Sequence, residues 1–173
     1  MLAAAFWKAV TMDRSEFLDR LIALLASEGI RYCVVGGQAV NAYAEPVVSL
    51  DLDLVVAVDD LARAEARLAA AFSLERHPHS LNVAKAGSDL RVRIQTDPRY
   101  VVFVARAMPR EVLGIRLPVA ALEDVLQSKV WAAGDPARRP SKRLKDLADI
   151  ARLLEVTPHL RPLVPDEILA KIE

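Results

Sequence analysis

Two aspartates on one predicted strand are the residues whose types and spacing are best suited to chemistry. Asp51 and Asp53 alternate with Leu50, Leu52 and Leu54, so a strand places both carboxylates on one face, about 6.6 Å apart at roughly 3.3 Å per residue. Hard oxygen ligands at this spacing can hold one or two magnesium ions, which in turn bridge the phosphates of a nucleoside triphosphate. The alternative is an ordinary polar strand face, on which an Asp-x-Asp pattern is common.

A pair of glycines could supply the phosphate side of such a site. Gly36 and Gly37 lie between an apolar segment, 31–35, that is typical of a buried strand and a short helical segment, 38–44. Without Cβ atoms the backbone can come close to phosphate oxygens, and the first amides of a helix point towards them. Taken alone, the two glycines could equally be only a turn.

Hydrophobic periodicity predicts the elements that must position these motifs. Helices are predicted over 15–27, 61–72, 122–133 and 141–154, with Ser15 or Asp13 as the cap of the first, and a helix or extended turn over 101–107. Strands are predicted over 31–35, 50–58, 80–86, 90–96 and 112–118. The pattern predicts an α/β (α+β) core over residues 1–118 and a C-terminal helical subdomain over 119–173.

Composition limits the class of protein. The chain has 173 residues, 53% of them hydrophobic, and 23 Lys+Arg balance 23 Asp+Glu, which excludes a disordered chain and gives no global basic field for nucleic acid. Cys33 is the single cysteine, so an internal disulfide and a cysteine-based zinc site are excluded. With no basic leader before the first apolar residues and no long uncharged stretch, we expect a cytoplasmic protein with no membrane partner.

The order of the two motifs resembles a known superfamily. Residues 34–39 (Val-Val-Gly-Gly-Gln-Ala) and 49–53 (Ser-Leu-Asp-Leu-Asp) are similar to the strand, Gly-Gly, helix and Asp-x-Asp pattern of nucleotidyltransferases of the DNA polymerase β type. The resemblance implies a nucleotidyltransferase fold, with a mixed sheet flanked by helices. It also implies that Asp51 and Asp53 are catalytic and hold Mg²⁺, and that Gly36, Gly37 and Ser49 bind the nucleotide.

A second similarity lies farther along the chain. Residues 119–129, together with Lys-Asp-Leu-Ala-Asp-Ile at 145–150, look like the C-terminal part of AbiEii-like nucleotidyltransferase proteins, the toxins of certain bacterial toxin–antitoxin systems. The resemblance implies that Lys129 faces the nucleotide's phosphates during catalysis, and that Asp146 and Asp149 shape the nucleotide-binding cleft. The alternative is a surface lysine and two aspartates one turn apart on a solvated helix face.

One position departs from the superfamily's pattern. The third acid of these enzymes lies on a neighbouring strand between hydrophobic residues, and the corresponding piece here is Ile94-Gln95-Thr96, in which Gln95 is neutral. An amide there weakens both metal binding and deprotonation of an attacking hydroxyl. Asp97, two residues on, could compensate as a metal ligand, although Pro98 predicts that the strand ends there.

Two functional hypotheses follow. The first is a magnesium-dependent enzyme that moves a nucleotidyl group from a nucleoside triphosphate to a hydroxyl of RNA (such as tRNA) or of a protein, with an antitoxin as a further partner. The second, motivated by Gln95, is a protein that has lost catalysis and binds a nucleotide or a partner. The basic cluster at 138–145 could receive RNA or triphosphate, or could be a solvated helix start.

Overall fold

The computed structural model describes residues 16–173, and the chain forms two compact units that are each assembled from two stretches. The first unit comprises the residues up to Cys33 and Leu50–Val104, and the second comprises Val34–Ser49 and Ala105–Glu173. The predicted cap at Ser15 or Asp13 lies outside the described residues. The division at residue 118 stays a prediction, and residues 105–118 belong to the same unit as the C-terminal helices.

In the first unit a group of strands packs one face against helices. Its elements are α1 (16–27), the first half of β1 (Tyr32–Val35), β2 (Asp51–Val56), α3 (Val58–Ala71), β3 (Ser73–His77), β4 (Ser80–Ala84), β5 (Arg91–Gln95), the 3₁₀ turn Pro98–Tyr100 and the start of α4 (Phe103–Arg106). Strand β2 is parallel to β5, β5 is antiparallel to β4, and β4 is antiparallel to β3. Alternation buries Leu52, Leu54, Val92 and Ile94 and leaves the polar residues of β2 and β5 on the opposite face.

The second unit combines a small sheet with the C-terminal helices. Its elements are α2 (Gly36–Asn41), β6 (Met108–Val112), β7 (Ile115–Val119), α5 (Leu122–Gly134), α6 (Pro140–Val156), the 3₁₀ turn Pro158–Leu163 and α7 (Asp166–Leu169). The second half of β1 pairs in parallel with β7, and β6 is antiparallel to β7. The core of this unit includes Ala39, Val125, Ile150 and Leu153.

The predicted mixed α/β fold is confirmed, with two local corrections. A single strand over 112–118 is wrong, because Leu113 and Gly114 both have positive φ (52° and 83°) and form a two-residue hairpin turn between β6 and β7. The sequence prediction also missed strand β3, whose residues are mostly exposed at the edge beyond β4. Short exposed strands carry little hydrophobic alternation, so periodicity does not reveal them.

Candidate active site

Asp51 and Asp53 lie on one face of β2, as their spacing predicts. Their side chains keep 25% and 20% of their exposure, whereas Leu52 and Leu54 between and beyond them are buried. The local cause is the period of two along a strand, with apolar residues directed to the core and carboxylates to the other face. Both carboxylates therefore remain partly accessible to a ligand.

Each of these carboxylates has an arginine beside it on the neighbouring strand. The parallel register pairs Asp51 with Arg91 and Asp53 with Arg93. Arg91 Nε lies 2.7 Å from Asp51 Oδ1, and Arg93 Nε lies 3.8 Å from Asp53 Oδ1. Sequence reasoning recognised a polar face on β5 but missed this pairing, because strand register is not visible in local periodicity.

The donor set fits a magnesium ion held with few protein ligands. Among residues 16–173 there is no group of three or more His, Cys, Asp and Glu side chains arranged to hold a metal. Mg²⁺, however, is commonly held by one or two carboxylates together with waters and substrate phosphates. Asp51 and Asp53, with hard oxygen donors on one partly exposed face, have the chemistry that this mode of binding requires.

The two candidates for a third acid occupy different environments. Gln95 is paired with Val55, two register positions beyond the Asp53–Arg93 pair, and it lies on the same face of β5 as Arg93. Asp97 caps the 3₁₀ turn that follows β5: its Oδ1 accepts the backbone N–H of Arg99, and the Arg99 guanidinium lies 2.8 Å from Oδ2. The Arg99 side chain lowers the pKa of the Asp97 carboxyl, so Asp97 would have to exchange these contacts to bind a metal.

In the second unit, the two glycines are the first two residues of α2. Gly36 has φ of 68°, a left-handed conformation that an L side chain adopts only with strain. Gly37 is not in that region, but a Cβ placed on it would lie 3.9 Å from Lys145 Nζ. Lys145 is an exposed residue of α6. Its ammonium group therefore lies close to the glycine that was predicted to approach phosphate.

Side chains of α2 hold the segment that carries Ser49. Buried Gln38 donates from Nε2 to the carbonyl oxygen of Ser49 at 3.0 Å. Asn41 binds both polar backbone groups of Val47, at 2.7 and 3.0 Å. The predicted nucleotide-binding residues Gly36, Gly37 and Ser49 are thereby linked to one another within this unit.

Lys129, Asp146 and Asp149 form a buried ionic cluster between α5 and α6. Lys129 Nζ lies 3.0 Å from Asp146 Oδ1 and 2.8 Å from Asp149 Oδ2. At most 8% of any of the three side chains is exposed. The interpretation of these residues as a surface lysine and a solvated helix face is therefore wrong, and their predicted roles at the nucleotide stay a prediction.

Two arginines complete this cluster. Arg138 Nε lies 2.8 Å from Asp146 Oδ2, and Arg152 Nη1 lies 2.8 Å from Asp149 Oδ1. Arg152 also donates from Nη2 to Asn41 Oδ1 at 2.8 Å. The cluster therefore joins α5, α6 and α2, and it contains three cations for two carboxylates.

The two neighbouring carboxylates keep Lys129 protonated. Burial by itself would lower the pKa of Lys129, but the carboxylates of Asp149 and Asp146 outweigh it and raise the pKa above its usual value of 10.5. Lys129 is therefore a fixed cation at neutral pH.

Part of the basic cluster at 138–145 has a structural role. Arg138 forms an ion pair with Asp146. Arg143 Nη2 donates to the carbonyl oxygens of Asp135 and Pro136 at 2.8 and 3.2 Å. These bonds close the connection between α5 and α6. Of the cluster's lysines, Lys145 is the one that stands over the Gly-Gly turn.

Comparison with known proteins decides the family. Residues 16–173 match the family described as "Nucleotidyl transferase AbiEii toxin, Type IV TA system". The chain belongs to the AbiEii family. This membership confirms the resemblance at both motif regions, and it makes the chain a nucleotidyltransferase-family protein of a toxin–antitoxin class. No curated protein matches the chain.

Solved structures support the fold of this AbiEii protein. The solution structure of the antibiotic-resistance factor ANT(2'')-Ia has a TM-score of 0.59 at 13% identity, with 92% of this chain and 88% of that chain covered. The lincosamide antibiotic adenylyltransferase LnuA, with lincomycin bound, has a TM-score of 0.55 at 12% identity, covering 79% and 95%. An antigenic nucleotidyltransferase-like protein from Paracoccidioides brasiliensis has 0.52 at 17% identity, covering 86% and 76%. At these identities the likeness shows the fold alone.

None of the helices within residues 16–173 has the length and apolar character of a membrane span.

Proposed function

We propose that this AbiEii-family protein transfers a nucleotidyl group from a nucleoside triphosphate to a hydroxyl of RNA or of a protein, with Mg²⁺ as cofactor. The observation that carries the proposal is the pair of partly exposed carboxylates, Asp51 and Asp53, on one face of β2. Family membership supplies the reaction class, and this pair supplies the ligand chemistry that the reaction needs.

The residues have distinct proposed roles. Asp51 and Asp53 hold Mg²⁺, which when bound supplies charge neutralisation and polarises phosphate oxygens. Gly36, Gly37 and Ser49 bind the triphosphate, and we add Lys145 to them because its ammonium group stands over Gly37. Lysine is a phosphate ligand that acts as a point charge. The position of Lys145 beside Gly37 therefore supports a contact between its ammonium group and phosphate oxygens.

Lys129, Asp146 and Asp149 have a different part in the proposal. Lys129 is buried between two carboxylates, so in this proposal it acts on the phosphates through a fixed charge and not through a direct contact. Asp146 and Asp149 set the shape of the nucleotide site through Arg152 and Asn41. Such fixed charges cost no reorganisation when charge moves towards the leaving group.

The proposed transfer is a displacement at the α-phosphorus of the nucleoside triphosphate, and it needs no oxidant or reductant. The acceptor hydroxyl oxygen forms a bond to the α-phosphorus, and the bond from that phosphorus to the α–β bridging oxygen breaks. Pyrophosphate leaves with the electron pair, and the hydroxyl proton goes to solvent. The products are a nucleotidylated acceptor and pyrophosphate.

The test uses the full chain with each labelled nucleoside triphosphate, Mg²⁺, total cellular RNA and total cellular protein. We expect label in one acceptor fraction, lost in Asp51→Asn and Asp53→Asn and reduced in Lys145→Gln. Lys171→Gln, an exchange of an exposed lysine in the same unit and outside the basic cluster, is the matched control and should keep activity. Activity that survives with both aspartates replaced would overturn the proposal.

A second function is favoured by the arginines that pair with Asp51 and Asp53 and by the neutral Gln95. In this alternative the protein binds a nucleotide or a partner without transferring a nucleotidyl group. Isothermal titration with ATP, CTP, GTP and UTP in Mg²⁺ separates the two functions. Nucleotide binding with no label in RNA or protein favours the alternative.

The toxin role also belongs to this proposal. The family description names a Type IV toxin–antitoxin system, so we propose a growth-inhibiting activity opposed by an antitoxin, in the cytoplasm. Induced expression in a bacterial host should slow growth, and the Asp51→Asn variant, produced at the same level, should not. Equal inhibition by both proteins would separate toxicity from nucleotidyl transfer.

A further inference from the structure

The two carboxylates on β2 already have cationic partners built into the neighbouring strand. Strands β2 and β5 are parallel and in register, so Asp51 is opposite Arg91 and Asp53 is opposite Arg93. The two ion pairs have Nε to Oδ1 distances of 2.7 and 3.8 Å. Each aspartate on this face of β2 is thus opposite an arginine of β5. Polar residues placed without regard to charge would not produce this repeated pairing.

Such pairs oppose metal binding in two ways. Arg91 occupies an oxygen of Asp51 at hydrogen-bond distance, and Mg²⁺ needs carboxylate oxygens as ligands. A divalent cation held between Asp51 and Asp53 would also be repelled by the two guanidinium groups beside them. The arginines must therefore move away from the carboxylates, or lose interaction energy with them, when a metal binds.

The same pairs have the opposite effect on the metal-free protein. Two carboxylates at alternate positions of one strand repel each other, and an adjacent opposite charge relieves that repulsion. Arg91 and Arg93 are 71% and 44% exposed, so their side chains can turn into solvent without a rearrangement of the core.

We propose that Arg91 and Arg93 are positioning residues that act as internal counter-ions to Asp51 and Asp53 and set the affinity of this site for Mg²⁺. The inference rests on the proposed function in that it takes Asp51 and Asp53 as the metal ligands. In the metal-free protein each arginine holds its carboxylate, and on metal binding the ion takes the place of the guanidinium. The site consequently binds free Mg²⁺ weakly.

The test is thermal unfolding of the full chain at increasing MgCl₂, with no nucleotide present. Arg91→Gln and Arg93→Gln should lower the Mg²⁺ concentration at the midpoint of stabilisation by about two- to fivefold each, the range that corresponds to one partly exposed ion pair. Without Mg²⁺ both variants should melt below the wild type, and added Mg²⁺ should shrink that difference. Arg91→Lys, which keeps the charge, should stay near the wild-type midpoint.

Arg67→Gln is the matched control. Arg67 Nε lies 3.1 Å from Glu28 Oε2, and the exposures of the two side chains, 58% and 27%, resemble those of Arg91 and Asp51. The control removes one ion pair of similar exposure from the same unit. It should lower the melting temperature equally at all Mg²⁺ concentrations and leave the midpoint unchanged.

The outcomes separate the inference from the proposed function. If Asp51→Asn abolishes the Mg²⁺ response but the arginine variants keep the wild-type midpoint, the counter-ion role is wrong and the metal site stands. If neither the wild type nor any variant responds to Mg²⁺, the inference is wrong, whereas the proposed function is decided by the labelled-transfer experiment. A midpoint that rises in Arg91→Gln also overturns the inference, because it would make the arginine a support for metal binding.

Discussion

Lys129 occupies an environment in which lysine is rarely found. Lysine side chains are almost never fully buried unless they are paired, and Lys129 is held between Asp146 and Asp149 on helix α6. Breaking a buried pair leaves an uncompensated charge in a region of low dielectric, which is more costly than losing an exposed pair. The residue thus contributes to stability whatever its part in catalysis.

We predict that Lys129→Met lowers the free energy of unfolding by about 3 kcal/mol, near the lower end of the range for a broken buried pair. Arg138 and Arg152 remain beside the two carboxylates and limit the loss. Urea unfolding followed by circular dichroism measures the change. Lys171→Met, an exposed exchange in the same unit, should stay within about 0.5 kcal/mol of the wild type. If Lys129→Met also changes the free energy of unfolding by no more than about 0.5 kcal/mol, the stabilising role of the buried ion pairs is wrong.

The same variant has a pH signature. The pKa of Lys129 is raised above its unfolded value of 10.5, so the stability that its charge provides is complete below pH 10.5 and is lost as pH rises through the folded pKa. The difference in unfolding free energy between the wild type and Lys129→Met should therefore be constant from neutral pH to about pH 10 and shrink above it. A difference that grows at high pH would contradict the raised pKa.

The two adjacent glycines differ in what they tolerate. Gly36 has φ of 68°, so Gly36→Ala should cost about 1 to 2 kcal/mol of stability from left-handed backbone strain. Gly37 lies within α2 without positive φ, and its nearest neighbour is the flexible end of Lys145. Gly37→Ala should therefore be neutral or stabilise by up to about 1 kcal/mol. Parallel denaturation of the two variants measures this, and equal losses would contradict it.

At the scale of elements, the register between β2 and β5 determines which side chains face Asp51 and Asp53. Gln95 is two residues beyond Arg93, the partner of Asp53, and on the same face, a diagonal separation that long side chains can bridge. At position 95 a glutamate would reach Asp53 better than an aspartate, because its longer side chain extends farther back along the strand.

We predict that Gln95→Glu increases the thermal stabilisation by Mg²⁺, and that Gln95→Asp does so to a smaller extent. A third carboxylate raises repulsion in the metal-free protein, and the bound ion relieves that repulsion. Melting temperatures at several MgCl₂ concentrations report the effect through ligand linkage. Thr96→Glu adds the same charge one residue farther along and is the control.

If Gln95→Glu responds to Mg²⁺ no more than the wild type, Gln95 lies outside the metal site. Asp97→Ala then becomes informative. Loss of its cap on the 3₁₀ turn should lower stability by about 1 kcal/mol, and a weakened Mg²⁺ response in addition would make Asp97 the further ligand.

At the scale of the whole molecule, neither compact unit is one continuous stretch of the chain. The second unit takes residues 34–49 from the first part of the chain and 105–173 from the last. Its core therefore joins residues that are distant in sequence, such as Val34 and Ala39 with Val125 and Ile150.

We predict that the fragment 1–118 does not fold cooperatively alone, because it lacks α5 and α6 and exposes the apolar residues that these helices cover. The fragment 119–173 should likewise lack a stable core. Thermal melts and hydrogen exchange of each fragment, alone and coexpressed, measure this, with the full chain as reference. A sharp melt of 1–118 by itself would establish the predicted boundary at residue 118 as a real domain limit.

The sequence by itself determined the elements and the motifs. Alternation in β2 and β5 and the apolar stripes of α3, α5 and α6 are local patterns with periods of 2 and 3.6, so their types and approximate limits follow from neighbouring residues. The order of Gly-Gly, Asp-x-Asp and the later lysine and aspartates was sufficient to indicate a nucleotidyltransferase of the AbiEii type. The hairpin at Leu113 and Gly114 and the exposed strand β3 were missed because their local signals are weak.

Only the tertiary structure decided which side chains meet. Arg91 faces Asp51 because two strands far apart in the sequence are parallel and in one register, and a shift of one residue would have turned the arginine to the opposite face. Lys129 is buried because α5 and α6 pack with Lys129, Asp146 and Asp149 on their facing sides, contrary to the usual preference of lysine for solvent. Lys145 reaches Gly37 by the same kind of non-local packing. Contacts of this kind depend on how elements are placed relative to one another. Periodicity within one element carries no information about that placement.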